Sequence, residues 1–217
     1  MKILIACEYS GRVRDAMLEQ GHDAISCDIL EGEGKYYKDH YKGDVMDVIN
    51  NPRGWEAFKG IDMLIAFPPC THLAVSGSRY FAAKRADGRQ QSGVDFFMEM
   101  INANIPQIAV ENPVGIMSTK YRKPDQIIQP YEFGHDASKK TCLWLKGLPL
   151  LKPTQYVEPS RFNGKRGIWG NQTPSGQNKL GPSKDRAKIR SMTYQGIADA
   201  MANQWGNNSK EMKWESN

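Results

Sequence analysis

Met63-Leu-Ile-Ala-Phe-Pro-Pro-Cys70 is a run of four apolar residues and a phenylalanine cut short by two prolines and a cysteine. Four unbroken apolar positions predict a strand buried on both faces, as in a parallel sheet. Proline ends such a strand because it has no N–H for the ladder, and here it leaves a thiol where the strand stops. Upstream, residues 3–6 predict an equivalent first strand, residues 11–20 an amphipathic helix ended by Gly21, and residues 23–27 a second strand with Asp28 at its tip. Residues 32–41 are polar and read as loop. Downstream, residues 76–89 are polar and basic, and residues 93–104 predict a helix with Phe96, Phe97, Met100 and Ile101 on one side. Residues 108–110 form a further strand that stops at Glu111-Asn-Pro113. Strands alternating with amphipathic helices define an α/β fold with a Rossmann-like parallel sheet. In such sheets ligands bind outside the carboxyl ends of the strands. Asp28, Cys70 and Glu111 therefore share one edge.

The second half differs in character. Residues 141–145 predict a strand, residues 149–183 are rich in Pro, Gly, Asn and Gln with little periodicity, and residues 196–205 predict a helix with Ile197, Ala200 and Met201 on one face. The expected organisation is a catalytic core over 1–149, a small irregular basic lobe over 150–188, a helix over 189–206 returning to the core, and a polar tail over 207–217. The net charge is +5, yet residues 118–190 hold fifteen Lys and Arg against five Asp and Glu. That local excess suits a polyanionic partner.

Four scattered cysteines, Cys7, Cys27, Cys70 and Cys142, show neither paired metal-ligand spacing nor the density of a disulfide scaffold. Reduced thiols are expected. Cys70 and His72 are one close pair of possible ligands without a second, so no metal is expected. The opening stretch has no basic leader, and no apolar run is long enough to span a bilayer, so a soluble, cytoplasmic protein without a membrane partner is expected.

A cysteine fixed after two prolines can be a nucleophile, with Arg79, Lys84, Arg85 and Arg89 downstream as sources of positive charge; the alternative is an inert buried thiol, the reading given to Cys7, Cys27 and Cys142. Glu111, held by Asn112-Pro113, could bind the ring nitrogen and exocyclic amine of cytosine, or protonate the ring if burial raises its pKa; an ion-paired or capping glutamate is the plainer role. The loop Cys7-Glu-Tyr-Ser-Gly11 lies where a Rossmann-like fold accepts a nucleotide-bearing cofactor, and Asp28 is placed for ribose hydroxyls. Asp44, in Gly43-Asp-Val45, could accept from an adenine amine or be an ordinary exposed loop aspartate.

In this order the pieces resemble the cytosine-5 DNA methyltransferase family over nearly the whole chain to about Gly206. Phe67-Pro-Pro-Cys-Thr71 resembles its nucleophile loop and Ile108-Ala-Val-Glu-Asn-Pro113 its Glu-Asn strand end. Phe133-Gly134 with Lys139-Lys-Thr-Cys-Leu-Trp-Leu145 is similar to its later Tyr-Gly and arginine-rich segment, and Thr193-Tyr-Gln-Gly-Ile-Ala-Asp-Ala200 to its closing helix. The look is that of small phage-encoded members. The resemblance implies a Rossmann-like S-adenosylmethionine-dependent methyltransferase domain, base flipping, and a covalent adduct at carbon 6 of cytosine in DNA. It implies Cys70 as nucleophile, Glu111 on the cytosine edge, Lys139 and Thr141 beside the base, and Ser10, Gly11, Asp28, Asp44 and Pro68 as cofactor contacts. Arg79, Arg85, Arg89, Lys140, Arg161, Lys165 and Arg166 are the expected DNA-binding cations. The sequence departs from the family in lacking the aromatic-x-Gly-x-Gly first loop, in having lysine and threonine where arginines stand, and in a short recognition region. Those departures leave open a pyrimidine-nucleotide or RNA one-carbon transferase, or a catalytically silent DNA-binding protein of the same fold.

Overall fold

The computed structural model describes residues 1–50 and 59–212, with side chains through Asn207. Its centre is a seven-stranded sheet in the order β3-β2-β1-β4-β5-β7-β6: β1 (Lys2–Ala6), β2 (Asp23–Asp28), β3 (His40–Lys42), β4 (Met63–Ala66), β5 (Gln107–Pro113), β6 (Gln126–Ile128) and β7 (Thr141–Lys146). Strands β1 to β5 are parallel, and β7 runs antiparallel to both β5 and β6. This is a Rossmann-like sheet, with the order reversing between β1 and β4. The crevice for a ligand opens at that switch point.

Every residue of β4 is buried, as its unbroken apolar run required. Alternate side chains build two layers of core. On one face Leu4, Ala6, Leu64, Ala66, Ile108 and Val110 meet helices α2 (Val45–Asn50) and α4 (Arg89–Ile101). On the other, Ile3, Ile5, Met63, Ile65, Ala109 and Leu143 meet α1 (Arg12–Glu19) and α7 (Gln195–Met212). Register pairs Ile3 with Met63 and Met63 with Gln107, so the ends of β1, β4 and β5 lie side by side.

Several elements depart from the sequence-based expectation. The polar stretch after Cys70 holds a 3-10 turn (Val75–Tyr80) and helix α3 (Phe81–Ala86), where basic side chains hide the pattern. Helix α4 begins at Arg89 and ends at Ile101, because the carboxylate of Asp87 accepts the Arg89 N–H and fixes its start. Short elements β3, α2, α5 (Met117–Lys120) and β6 offer too few residues for a period to show. The loop-like lobe contains a hairpin of β8 (Arg161–Asn163) and β9 (Arg166–Ile168). Helix α7 also runs past Gly206 to Met212: one helical glycine costs only about 1 kcal/mol, and burial of Trp205 and its neighbours outweighs it. The tail expected from residue 207 thus begins in helix, and residues 213–217 lie outside the described residues. The region 189–206 is divided, since α6 (Arg186–Ser191) ends before Thr193 and α7 starts afresh.

Candidate active site at the strand ends

Cys70 follows β4 and Glu111 lies within the neighbouring β5, which pairs with β7 through Pro113 rather than stopping at Glu111, and the two segments are stitched together. The buried Asn112 side chain donates to the Pro68 carbonyl at 2.8 Å and to the Glu111 carbonyl at 3.1 Å. Val75 N–H donates to Val114 O, and Ile116 N–H to Leu73 O, closing an antiparallel bridge between Ala74 and Gly115. The backbones approach so closely there that a Cβ on Gly115 would lie 2.5 Å from the Leu73 carbonyl. The Cys70 carbonyl accepts from Leu73 and Ala74, and the buried Lys84 ammonium donates to Thr71 O at 2.5 Å. Lys84 therefore braces the loop. With its backbone so fixed, the Cys70 thiol is half-buried and within electrostatic reach of Glu111, Lys139 and Arg190.

The direction of Glu111 follows from register. Glu111 pairs with Leu143 across β5 and β7, so it shares a face with Leu143, Ala109 and its diagonal neighbour Thr141. That face meets α7. Phe67, Glu111, Lys139, Thr141, Thr193, Tyr194, Ile197 and Met201 line a narrow cleft whose cavity volume is only about 10 Å3. Glu111 keeps a partly open surface on the cleft floor while protein surrounds it on most sides. Burial pushes its carboxyl above the ordinary value, against the opposing pull of Lys139 and of a hydrogen bond with the Thr141 hydroxyl. Burial, reinforced by Glu111, likewise pushes the Cys70 thiol up, and Lys139 and Arg190 draw it back.

The loop after β1 is built differently from a glycine-rich one. Cys7 takes a left-handed φ of 57° and Gly11 one of 71°. Gly11 has no room for a side chain, since a Cβ there would collide with the guanidinium of Arg14. In place of a capping serine, the buried Glu8 reaches forward to accept Val13 N–H at 2.8 Å, Arg14 N–H at 3.3 Å and the Ser10 hydroxyl at 3.3 Å. The N-terminus of α1 is thereby satisfied by a carboxylate of the chain itself. Asp28 and Asp44 each spend one oxygen locally, on Leu30 N–H and Met46 N–H, both at 2.9 Å. Beside Asp28, Ile29 and Leu30 are exposed, 74% and 43%.

The basic residues expected to meet DNA fall on two separate segments. Arg79 lies over the ring of the exposed Tyr80, Arg85 is exposed on α3, and Arg89 is paired with Asp87 at the start of α4. Lys140 is exposed at the lead into β7, and Lys165 is exposed at the hairpin turn. Arg161 differs from a free DNA ligand: its guanidinium donates to Trp169 O at 3.0 Å and Gln172 O at 2.7 Å, holding the lobe together. Arg166 packs against Gly176. Trp169 stacks on Tyr131 with ring centroids 4.4 Å apart. Asp136 accepts Gly170 N–H and Asn171 bridges Ser138 to Tyr194, so the lobe is moored beside Lys139.

Glu8, Asn112, Arg14 and Arg190 were missed in the sequence. Asn112 carried a signal, its place in Glu-Asn-Pro. Arg14 carried none, because an arginine on an amphipathic helix reads as solvent-facing; it is fully buried, holding Asp15, Ser26 and the Glu33 carbonyl. Among the described residues no cluster of three or more His, Cys, Asp or Glu could hold a metal ion, and no helix is long and apolar enough to cross a membrane.

No protein-family model matches the chain, and no curated protein matches it. Solved structures similar to it include a protein described as a DNA modification methyltransferase encoded within a prophage of Escherichia coli, at 15% identity and a TM-score of 0.47, over 71% of this chain and 51% of that one. Another is the Entamoeba histolytica methyltransferase EhMeth, at 15% identity and a TM-score of 0.46, over 72% of this chain and 57% of that one. The chain thus spans little more than half the length of either.

Proposed function

We propose that the chain transfers a methyl group from S-adenosylmethionine to carbon 5 of cytosine in DNA, through a covalent bond between Cys70 and carbon 6. The observation that carries this reading is the half-buried thiol of Cys70, after β4, within electrostatic reach of the desolvated carboxyl of Glu111 in β5, with Asn112 tying the two segments together.

The acidic rim of the β1 and β2 ends fits the proposed cofactor. Burial raises the Cys7 thiol pKa and the negative charges of Asp28 and Asp44 add to it, a field that favours a cationic ligand. Exposed Ile29 and Leu30 offer an apolar face to a flat base, and Asp28 keeps an oxygen for ribose hydroxyls. Ser10, Gly11 and Pro68 complete the surround. S-adenosylmethionine would supply an electrophilic methyl there.

The residues of the chain then have separable tasks. Cations of the basic half hold the phosphates while a base leaves the stack, at a cost of a few kcal/mol. Glu111, its pKa raised, can donate a proton to ring nitrogen 3 while accepting from the exocyclic amine. That withdraws electrons from carbon 6, where the Cys70 thiolate adds, and places the electron pair on carbon 5 for the methyl. Lys139 and Thr141 face the same pocket and fit the carbonyl side of the ring. Loss of the carbon 5 proton to water expels Cys70, and return of the nitrogen 3 proton to Glu111 restores the neutral aromatic base and the acid.

A catalytically silent DNA-binding protein is the second reading, favoured by the raised thiol pKa of Cys70. Nucleoside mass spectrometry of DNA from cells expressing the protein separates the two. 5-Methylcytosine is expected with the wild type and absent with Cys70→Ala, while the purified variant still binds DNA. Unchanged product in that variant rejects the mechanism, and no product from the wild type favours the silent reading.

A further inference from the structure

The outer face of the β8–β9 hairpin carries an aromatic ring that the core does not use. Arg161 stands opposite Ile168 in the register, and that face is turned inward: Ile168 is 4% exposed, and Arg161 donates to the carbonyls of Trp169 and Gln172. Phe162 lies on the other face, opposite Gly167, which offers it no side chain, and is 63% exposed. Pro159 covers the face that Gly167 leaves bare, since a Cβ on this glycine would collide with the proline ring. Three residues earlier, Tyr156 is 70% exposed. The segment that joins these rings is held at both ends: the Val157 N–H donates to Tyr131 O at 2.9 Å and the Ser160 N–H to Asp136 at 3.4 Å. Tyr131 in turn stacks its ring on Trp169. The exposure of Tyr156 and Phe162 is therefore built into a tethered backbone.

We propose that Tyr156, Pro159 and Phe162 form a stacking platform for unpaired bases, and that the DNA this chain engages is single-stranded. The proposal deepens the reading above and rests on DNA being the partner. An exposed apolar strip alone would suit a protein surface; here charge decides for a polyanion. Residues 150–188 hold eight Lys and Arg against two Asp and Glu, and the exposed Lys165 stands in the turn that follows Phe162. Rings set among cations match a strand whose bases offer flat faces and whose phosphates offer charge. In a duplex the flat faces are covered by neighbouring bases, and the rings would meet only edges and backbone. The lobe that carries the platform is moored beside the cleft: Asn171 exchanges hydrogen bonds with the Ser138 backbone at 3.1 and 3.0 Å, next to Lys139 of the cleft wall. A base that is already unpaired costs less to extrude than one in a duplex, which lessens what so small a lobe has to supply.

The test is fluorescence anisotropy of the full chain with a short labelled DNA strand, the same strand annealed to its complement, and RNA of the same sequence. The wild type is expected to bind the single DNA strand at least about tenfold more tightly than the duplex. Phe162→Ala and Tyr156→Ala should each weaken that binding by about five- to fiftyfold, the usual loss of one base–ring stack, and change duplex affinity by less than about twofold. Phe162→Trp keeps a ring and most of the affinity. Lys165→Gln acts on both forms and lowers the salt slope on the single strand by about 0.7, as loss of one phosphate contact gives. Equal affinity of the wild type for strand and duplex, a Phe162→Ala variant that loses both alike, or tighter binding of RNA than of DNA overturns the proposal. Nucleoside mass spectrometry of both DNA forms after incubation with the protein and S-adenosylmethionine is run in parallel. Product on neither form rejects methyl transfer and leaves the platform standing, whereas product on the duplex alone overturns the proposal.

Discussion

The strand-end site and the β8–β9 lobe are held by different forces. Cys70 sits on the loop that continues β4 and Glu111 in β5 itself, strands whose register is set by fully buried side chains and whose backbones are bonded to each other. The lobe has one deeply buried apolar side chain in its hairpin, Ile168, and is otherwise gathered by side chains reaching backbone carbonyls, Arg161 foremost. Reacting groups need placement to within a fraction of an ångström, which sheet packing supplies. On the proposed reading the lobe meets a nucleic acid, and such a surface tolerates adjustment, which polar tethers permit. Substitutions on the two sides should therefore fail in different ways.

The largest effect is expected at Glu111. Glu111→Gln should lower turnover by roughly 10²- to 10⁴-fold, the usual contribution of a general acid. The same variant should be more stable at alkaline pH. Burial raises the Glu111 pKa, so its favourable contribution exists below the ordinary carboxylate value and is lost as pH rises through the raised one. At pH 8 the wild type carries a desolvated charge that glutamine lacks, and calorimetry should show the variant melting a few degrees higher, as about 1 kcal/mol would give. A variant that is both active and less stable would break the comparison.

Next in size is Asn112→Ala. It leaves the Pro68 carbonyl without its donor, at about 1–3 kcal/mol, and frees the nucleophile loop from β5. Turnover should drop about 100-fold with DNA affinity held, as measured by kinetics and titration. By contrast, Arg161→Ala should weaken DNA binding by roughly tenfold while single-turnover rates on saturating DNA change little, since the lobe loosens and the strand ends do not. Equal losses of rate in both variants would erase the distinction.

The smallest effect concerns where lobe and core meet. The Nε2 of His135 accepts the Gly196 N–H at 2.9 Å, a role open only to a neutral ring, and its ring lies 5.2 Å from that of Tyr194. Burial, and then the charge of Arg12, hold its pKa below 6.5. The stability this bond gives is complete above 6.5 and is lost as pH falls through the depressed value. Between pH 7.5 and 5.5 the wild-type melting temperature should drop a few degrees more than that of His135→Gln, which keeps an acceptor and does not titrate. Equal slopes would remove His135 as the cause.

Periodicity alone made the strand at 63–66 and the alternation around it legible, because a strand buried on both faces must be apolar throughout. Proline made its end legible, and the Glu-Asn-Pro and Pro-Pro-Cys stops marked which ends to join. Local pattern could not reveal that Glu8 caps α1 in place of a glycine-rich loop, that Arg14 is buried, or that Arg161 serves the lobe. The sense of a charged side chain depends on what the rest of the chain brings to it. The sequence by itself determined five of the seven strands, all but β3 and β6, and named a thiol and a carboxyl. Only the tertiary structure decided that Glu111 opens into a cleft with Lys139, Thr141 and Thr193, and that Asn112 ties its strand to the loop of Cys70, because contacts between residues so far apart in the chain come from packing, which no short window contains.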